Sequence, residues 1–580
     1  MDSLIYYTMT TARYAVIIFS VLIIVRCFRS MLSERYESEI WACVYRGKDT
    51  LPIYHWENII GRGASSDIRL DSPAVGRVHA VLVRTDKGHW RIFDIFSKGG
   101  VWVNGVKVSP AGVEIRSGDV LNLAGSILRF QDVSSRQRSL LEERRTMAGQ
   151  AVSPSITLIY LTVFELFLMA EHMCTAESEH IKGIFLAFMG LICLHWLCYH
   201  LMRFINRSGF EVETLAFFLS ALGMSVAAVS TPEDMVKQFL LTLTGVLLFL
   251  INGWWLRNLR RTAVMRVPVA VFAILLLALN ILTSDAVFGA RNWLEIGGYS
   301  FQPSEFVKVF YIYAGASTLD RLYRRHNLYS FIGFSALCVI ALALIGDFGT
   351  ALIFFVSFLV ISFMRSGSIA TVLLAISGAG LASFLAVTVK PYIADRFATW
   401  GHVWEDIYDK GYQQTRAMSA AASGGLFGKG AGEGWLVDIF AANTDMVFAL
   451  ISEELGMIVA MSMILAVLAL AFFAVRSASH ARSAYYSIAA CTAMSMLLVQ
   501  LSLNVFGSLD ILPFTGVTFP FVSRGGSSFL SCWMMMAFVK SADNRRNASF
   551  AVKTSERVRS MQDYEDYGDY DDYDGEGEEY

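Results

Sequence analysis

Runs of about 17–22 predominantly apolar residues recur along most of this chain, the length at which a helix rising 1.5 Å per residue crosses a bilayer. The first extends from Leu4 to Val25 and is interrupted only by Arg13. Twelve more centre near residues 163, 193, 221, 246, 275, 312, 338, 357, 379, 460, 495 and 533, and the one near 312 carries Glu305 and Lys308 at its start. Between the first run and the rest the period changes. Residues 36–134 hold short alternating segments such as Val81-Leu82-Val83 and Trp90-Arg91-Ile92-Phe93, punctuated by Gly and Asp. That pattern predicts an all-β sandwich.

Charge sorts the runs into a topology. Arg26, Arg29 and Arg35 follow the first run and would hold its C-terminal end in the cytoplasm. From there alternate loops are basic: Arg203/Arg207, Arg257/Arg260/Arg261/Arg266, Arg321/Arg324/Arg325, Arg365, Arg476/Arg482 and Lys540/Arg545/Arg546. The intervening loops, including the long one from 390 to 445, would face outward. The expected organisation is an anchor helix (1–35), a cytoplasmic β-sandwich (36–134), a basic linker (135–150), two helices (151–210) and a polytopic helical domain (211–541). Residues 542–580 read as an acidic, tyrosine-rich, disordered cytoplasmic tail.

Composition removes the competing classes. Hydrophobic residues make up 55% of the 580 and charged residues 17%, well to the apolar side of soluble averages. The net charge of −2 is divided among separate blocks, which gives no sign of a nucleic-acid partner. Eight cysteines show neither CxxC nor Cys/His spacing, so neither a zinc site nor a disulfide framework is indicated. The first run lacks a basic leader and a small-residue cleavage site, so it reads as an anchor rather than a cleaved signal.

Within 55–130, Gly61-Arg62, Ser65-Ser66-Asp67, Arg77-Val78-His79, Val103-Asn104-Gly105 and Gly118-Asp119 occur in the order found in forkhead-associated (FHA) domains, which this segment resembles. The resemblance implies a β-sandwich whose loops read phosphothreonine, with Arg62, Ser65, Ser66, Arg77 and Asn104 as phosphopeptide contacts and a phosphoprotein as partner. Arginine suits that task because its guanidinium is always charged and forks onto phosphate oxygens. Gly76 stands where the family has a phosphate-binding serine, and Gly99 and Val101 replace an asparagine and a threonine. A sandwich that docks proteins without reading phosphate is the alternative.

Three loops of the helical part carry unusual polar content. They are Gly289-Ala290-Arg291-Asn292-Trp293 leading to Gln302-Pro303-Ser304-Glu305, the long loop from Arg396 to Asn443-Thr444-Asp445, and Pro513-Phe514-Thr515-Gly516 through Gly525-Gly526-Ser527-Ser528. In this order they resemble the SEDS family (shape, elongation, division and sporulation), the FtsW/RodA/SpoVE group of peptidoglycan glycosyltransferases, over about 213–540. The implied fold is a polytopic α-helical membrane protein of about ten core helices, here with extra N-terminal helices and the β-sandwich. The implied substrate is lipid II, polymerised at the outer face of a bacterial plasma membrane, with a class B penicillin-binding protein as transpeptidase partner.

The chemistry suggests roles. A carboxylate is needed to take a proton from the attacking sugar hydroxyl, and Asp445 matches the family's catalytic aspartate; by residue type alone Asn443-Thr444-Asp445 is also good helix-capping sequence. Cations, with a divalent ion such as Mg or Mn, would stabilise the departing diphosphate. Arg291, Arg396 and Lys308 are the candidates, with Glu305 beside Lys308 as a further candidate at the substrate diphosphate, although basic residues at helix ends also snorkel to the interface and Lys308 has Glu305 at i,i+3. Glu453 and Glu454 are ionisable residues within a membrane helix and therefore site candidates, or else buried anchors. A precursor flippase and a non-catalytic scaffold are the alternatives in other functional classes.

Overall fold

The alternating segments of 42–132 form eleven short strands, and all but the two-residue β8 bury at least one side chain. They are β1 (Ala42–Arg46), β2 (Asp49–Ile53), β3 (Glu57–Gly61), β4 (Ile68–Arg69), β5 (Ala80–Arg84), β6 (Trp90–Asp94), β7 (Val101–Val103), β8 (Val106–Lys107), β9 (Val113–Ile115), β10 (Val120–Leu123) and β11 (Ser126–Asp132). One sheet has the order β2-β1-β11-β10-β7-β8 and the other β4-β3-β5-β6-β9. The registers set Val44 opposite Phe130 and Leu82 opposite Ile92, and all four side chains are fully buried, with Trp90 filling the space beside Phe130. This computed structural model describes residues 2–551 apart from 34–37, 64–65, 86–87, 96, 135–136, 138–139, 142–148, 150, 285–290, 297–298, 320–324, 367–368, 371, 379, 381–393 and 395–396.

Helix α1 (Asp2–Ser33) precedes the sandwich. After it come α2 (Pro154–Thr175), α3 (Ile181–Phe204), α4 (Glu211–Ser230), α5 (Met235–Trp255), α6 (Leu259–Thr283), the hairpin β12 (Leu294–Ile296) and β13 (Tyr299–Phe301), then α7 (Pro303–Leu319), α8 (Arg325–Ile345) and α9 (Phe348–Ser366). The chain ends its helical part with α10 (Tyr412–Gly424), α11 (Val447–Glu454), α12 (Met457–Ala478), α13 (Ala484–Ser508) and α14 (Gly526–Ala542). Among the described residues eight helices are long and apolar enough to cross a membrane, namely α1 to α6, α12 and α13. This is a membrane protein. The run near 312 is α7, at 17 residues, and the run near 379 lies largely outside the described residues.

Burial separates core helices from rim helices. The central window of α4 is 94% buried and that of α6 only 17%. A helix apolar on every side belongs inside a bundle or against lipid; α4 takes the first place, and the exposed Val267, Phe272, Leu275 and Leu282 of α6 fit the second. Helix α1 packs on α2 and α12, and α14 on α5 and α13. The long loop, read from sequence as irregular, contains α10, which packs on α11. Its Gln, Ser and Ala residues carry too little apolar content for a membrane-length signal.

At the sandwich end of the bundle, buried charges replace the loop cations expected there. Arg545 forks onto Glu211 at 3.0 and 3.0 Å and bonds Asp543 at 2.8 Å, Ser30 donates to Glu211 at 2.7 Å, and Lys540 donates to Glu213 at 3.1 Å. Residues 543–551, expected as the start of the tail, instead pack onto the bundle, with Phe550 buried against Phe249, and the rest of the expected tail lies outside the described residues. The sandwich docks on the loop between α12 and α13. Arg482 pairs with Glu39 at 2.6 Å, Trp56 N–H donates to the Arg482 carbonyl at 2.6 Å, and the Trp56 and Tyr486 rings meet edge-on at 6.3 Å.

Candidate active site

Asp445 lies at the end of the bundle away from the sandwich, half-buried in the turn before α11. The cap position of α11 belongs to Met446, which makes no side-chain cap bond, and Asp445 stands one residue before it. Its backbone is held by three neighbours. Asn504 donates its amide to the carbonyls of Asp445 at 3.1 Å and Val517 at 2.8 Å, Ser523 donates to the Thr444 carbonyl, and Arg524 N–H donates to the Asn443 carbonyl at 2.8 Å. Gly516 lies beside the carboxylate, where an added Cβ would stand 3.2 Å from Oδ2. A rigidly held backbone carrying a partly accessible carboxylate suits a general base, whose placement governs proton transfer. Arg524 pairs with Asp234 at 2.7 Å.

Glu453 and Glu454, expected at the substrate, are enclosed instead. Glu453 is fully buried and takes the Lys429 ammonium at 2.7 Å and the Leu436 N–H at 2.9 Å. The loop 424–434 lies directly on the last turn of α11: Lys429 N–H donates to the Glu453 carbonyl and Gly430 N–H to that of Glu454, both at 2.9 Å. A Cβ at Gly424 or Gly428 would overlap the carbonyls of Ser452 or Glu454, which is why this loop is rich in glycine. Gly456, at φ +94°, turns the chain from α11 into α12.

Lys308 and Glu305, also expected at the diphosphate, face inward. Lys308 is fully buried and donates to both Glu305 oxygens at 2.8 and 2.9 Å and to Gln500 at 3.0 Å. Ser531 donates to Glu305 at 2.9 Å, and Gln500 passes its amide to Thr518 at 2.9 Å and Ser528 at 3.2 Å. This network joins α7, α13 and α14 below the turn that holds Asp445. Asp347 caps α9 by accepting the Thr350 N–H at 3.0 Å. Arg291 is exposed, with one guanidinium nitrogen on the Ile281 carbonyl at 3.2 Å, and Arg396 lies outside the described residues.

A divalent ion finds no protein cage here. Among the described residues the only grouping of three or more ligand side chains is Glu177, Glu179 and His180, on the turn between α2 and α3, and Asp445 belongs to no such group. An octahedral ion held by one carboxylate would take its other ligands from water and the substrate's phosphates.

In the sandwich, Arg62 and Arg77 are exposed, and neither has an ion-pair partner among the described residues. Ser66 donates to the Arg77 carbonyl at 3.1 Å, and Ser65 lies outside the described residues. Asn104 is already committed: it donates to Asp119 at 2.8 Å and accepts the Val120 N–H at 2.9 Å, which makes it a turn residue. At Gly99 a Cβ would overlap the Ala124 methyl, so the family's asparagine is excluded by shape as well as missing. Each lost hydrogen bond to a charged group is worth about 1.5–3 kcal/mol. Titrating generic phosphothreonine peptides into the full chain is expected to show no micromolar binding; micromolar binding abolished by Arg62→Ala would refute this.

Both parts of the chain match known families. Residues 213–548 match the family model described as "Cell cycle protein" (FtsW/RodA/SpoVE), and residues 58–124 match the FHA domain. The protein of Mycobacterium tuberculosis named peptidoglycan glycosyltransferase RodA is 27% identical over 322 residues, 52% of this chain and 69% of its own length. Stage V sporulation protein E of Bacillus subtilis is 32% identical over 252 residues, 41% of this chain and 68% of its own. The solved structure of the rod shape determining protein RodA of Thermus thermophilus is similar over 57% of this chain and 94% of that one, at 23% identity and a TM-score of 0.42. The family segment holds Asp445, Asn504, Gly516 and the Lys308 network, and covers more than half of the sequence: this chain belongs to the FtsW/RodA/SpoVE family and carries an FHA domain ahead of it.

Proposed function

We propose that this chain is a peptidoglycan glycosyltransferase that polymerises lipid II at the outer face of a bacterial plasma membrane. The observation that carries the reading is Asp445, a half-buried carboxylate in the family-matched segment, set beside Gly516 on a turn that Asn504, Ser523 and Arg524 hold. Asp445 takes the proton of the acceptor sugar's hydroxyl as its oxygen bonds the donor's anomeric carbon; the bond from that carbon to the diphosphate oxygen breaks, and the diphosphate leaves with the electron pair. Arg291 and Arg396 supply positive charge to the leaving group. Lys308 and Glu305 hold the floor beneath. The product strand requires cross-linking, which makes a class B penicillin-binding protein the proposed partner.

The direct test is polymerisation of labelled lipid II by the purified full chain, with and without a transpeptidase. Production of glycan strands is expected, and its absence under both conditions would overturn the reading. The same proposal sets the sandwich in the cytoplasm and loop 397–445 outside, following the basic loops. In a cysteine-depleted background, Glu405→Cys should react with an impermeant maleimide on intact cells and Lys107→Cys should not, both positions being exposed. The opposite labelling pattern would reverse the topology.

A further inference from the structure

Arg13 is the one charge inside the first apolar run, and its surroundings give it a task. It lies on α1, outside the family-matched segment, yet its guanidinium donates to the carbonyls of Gly428, at 3.3 Å, and Lys429. Behind it, Glu171 of α2, fully buried, stands 3.9 Å from the Arg13 Nε and accepts the Ala431 N–H at 3.2 Å. Tyr14 adds an edge-on ring contact to Phe427 at 5.8 Å. Four residues of loop 424–434, Phe427, Gly428, Lys429 and Ala431, are therefore held by two helices that the family segment does not include. The loop's other side bonds the last turn of α11 through Lys429 and Gly430, and α11 is eight residues long and begins two residues after Asp445.

We infer that Arg13 and Glu171 are positioning residues for the polymerisation reaction, an inference that rests on the function proposed above. Arg13 bridges two loop carbonyls, those of Gly428 and Lys429, and Glu171 supplies the matching charge. Together they fix loop 424–434, the loop fixes α11, and α11 sets the depth and angle of Asp445. A short helix moves as one body, so freedom gained by the loop appears at the carboxylate.

The test uses the full chain. Arg13→Gln should lower kcat about a hundredfold, the order lost when a reacting group is displaced by about 1 Å, with KM for lipid II nearly unchanged. Amide hydrogen exchange at 428–431 should become at least about tenfold faster, one decade corresponding to 1.4 kcal/mol of lost protection. Arg13→Lys should recover part of kcat, since it keeps the charge near Glu171 but cannot fork onto both carbonyls. Normal turnover in folded Arg13→Gln, or unchanged exchange at 428–431, overturns the inference. If Arg13→Gln does not fold, Tyr14→Ala, at a half-exposed surface ring, must still speed exchange at 427–431, and unchanged exchange there overturns it equally. A wild-type chain that polymerises nothing defeats the proposed function, while the exchange measurement still decides whether α1 holds the loop.

Discussion

Asp445→Ala and Asp445→Asn are expected to slow glycan polymerisation by about 10²–10⁴-fold, the contribution of a positioned general base, with precursor binding and thermal stability near wild type. The second half follows from the backbone. Asn504, Ser523 and Arg524 hold the turn through the carbonyls of residues 443–445 and 517, and Met446 occupies the cap of α11. These bonds run through main-chain carbonyls, which both substitutions keep. An aspartate at a helix cap would instead cost about 1 kcal/mol on truncation with little effect on chemistry. Single-turnover polymerisation beside a melting curve separates the cases, and wild-type rates in well-folded Asp445→Ala would remove Asp445 from the mechanism.

Lys308→Ala is expected to produce the largest loss of stability, about 3–5 kcal/mol, because it strands the buried Glu305 carboxylate without its cation. Removing both charges should cost much less. Glu305→Gln with Lys308→Met keeps the volumes and leaves a neutral amide for Ser531, and buried pairs replaced as a unit are often tolerated. The double variant also decides between holding the floor of the site and touching the diphosphate. Recovery of both folding and polymerisation is expected. A stable double variant with no polymerisation would show that the Lys308 charge acts on substrate.

Much of the fold was legible because its signals are local. Strand alternation, glycine at Gly61 and Gly118 and the order of polar islands announce the sandwich, and run length announces the helices. Asp445 was legible through its motif, while its alternative role as a cap depended on a helix boundary that differs by one residue. The burial of Lys308 was half-visible in the i,i+3 spacing to Glu305, but Gln500 is 192 residues away. Glu453 announced itself as an ionisable residue among apolar ones; its partner Lys429 lies on a loop whose glycines gave no hint of close approach to α11. Arg13 and Glu171, 158 positions apart in the numbering, and the Glu39–Arg482 contact, 443 residues apart, depend on how helices and sandwich come together, which no local pattern encodes.

The crowding of Gly99 against Ala124 makes the order of two substitutions matter. Ala124 sits at φ +48°, a conformation that costs a non-glycine residue about 1–3 kcal/mol. Reintroducing an asparagine at 99 while that methyl remains would drive two side chains into one space. Ala124→Gly, by contrast, relieves the backbone and removes the overlapping methyl in a single step, leaving the Cα of residue 124 at 3.2 Å from the added Cβ. A lineage regaining phosphate recognition by this route must therefore acquire the change at 124 first, and the same pair of substitutions taken in the reverse order passes through a clashing intermediate.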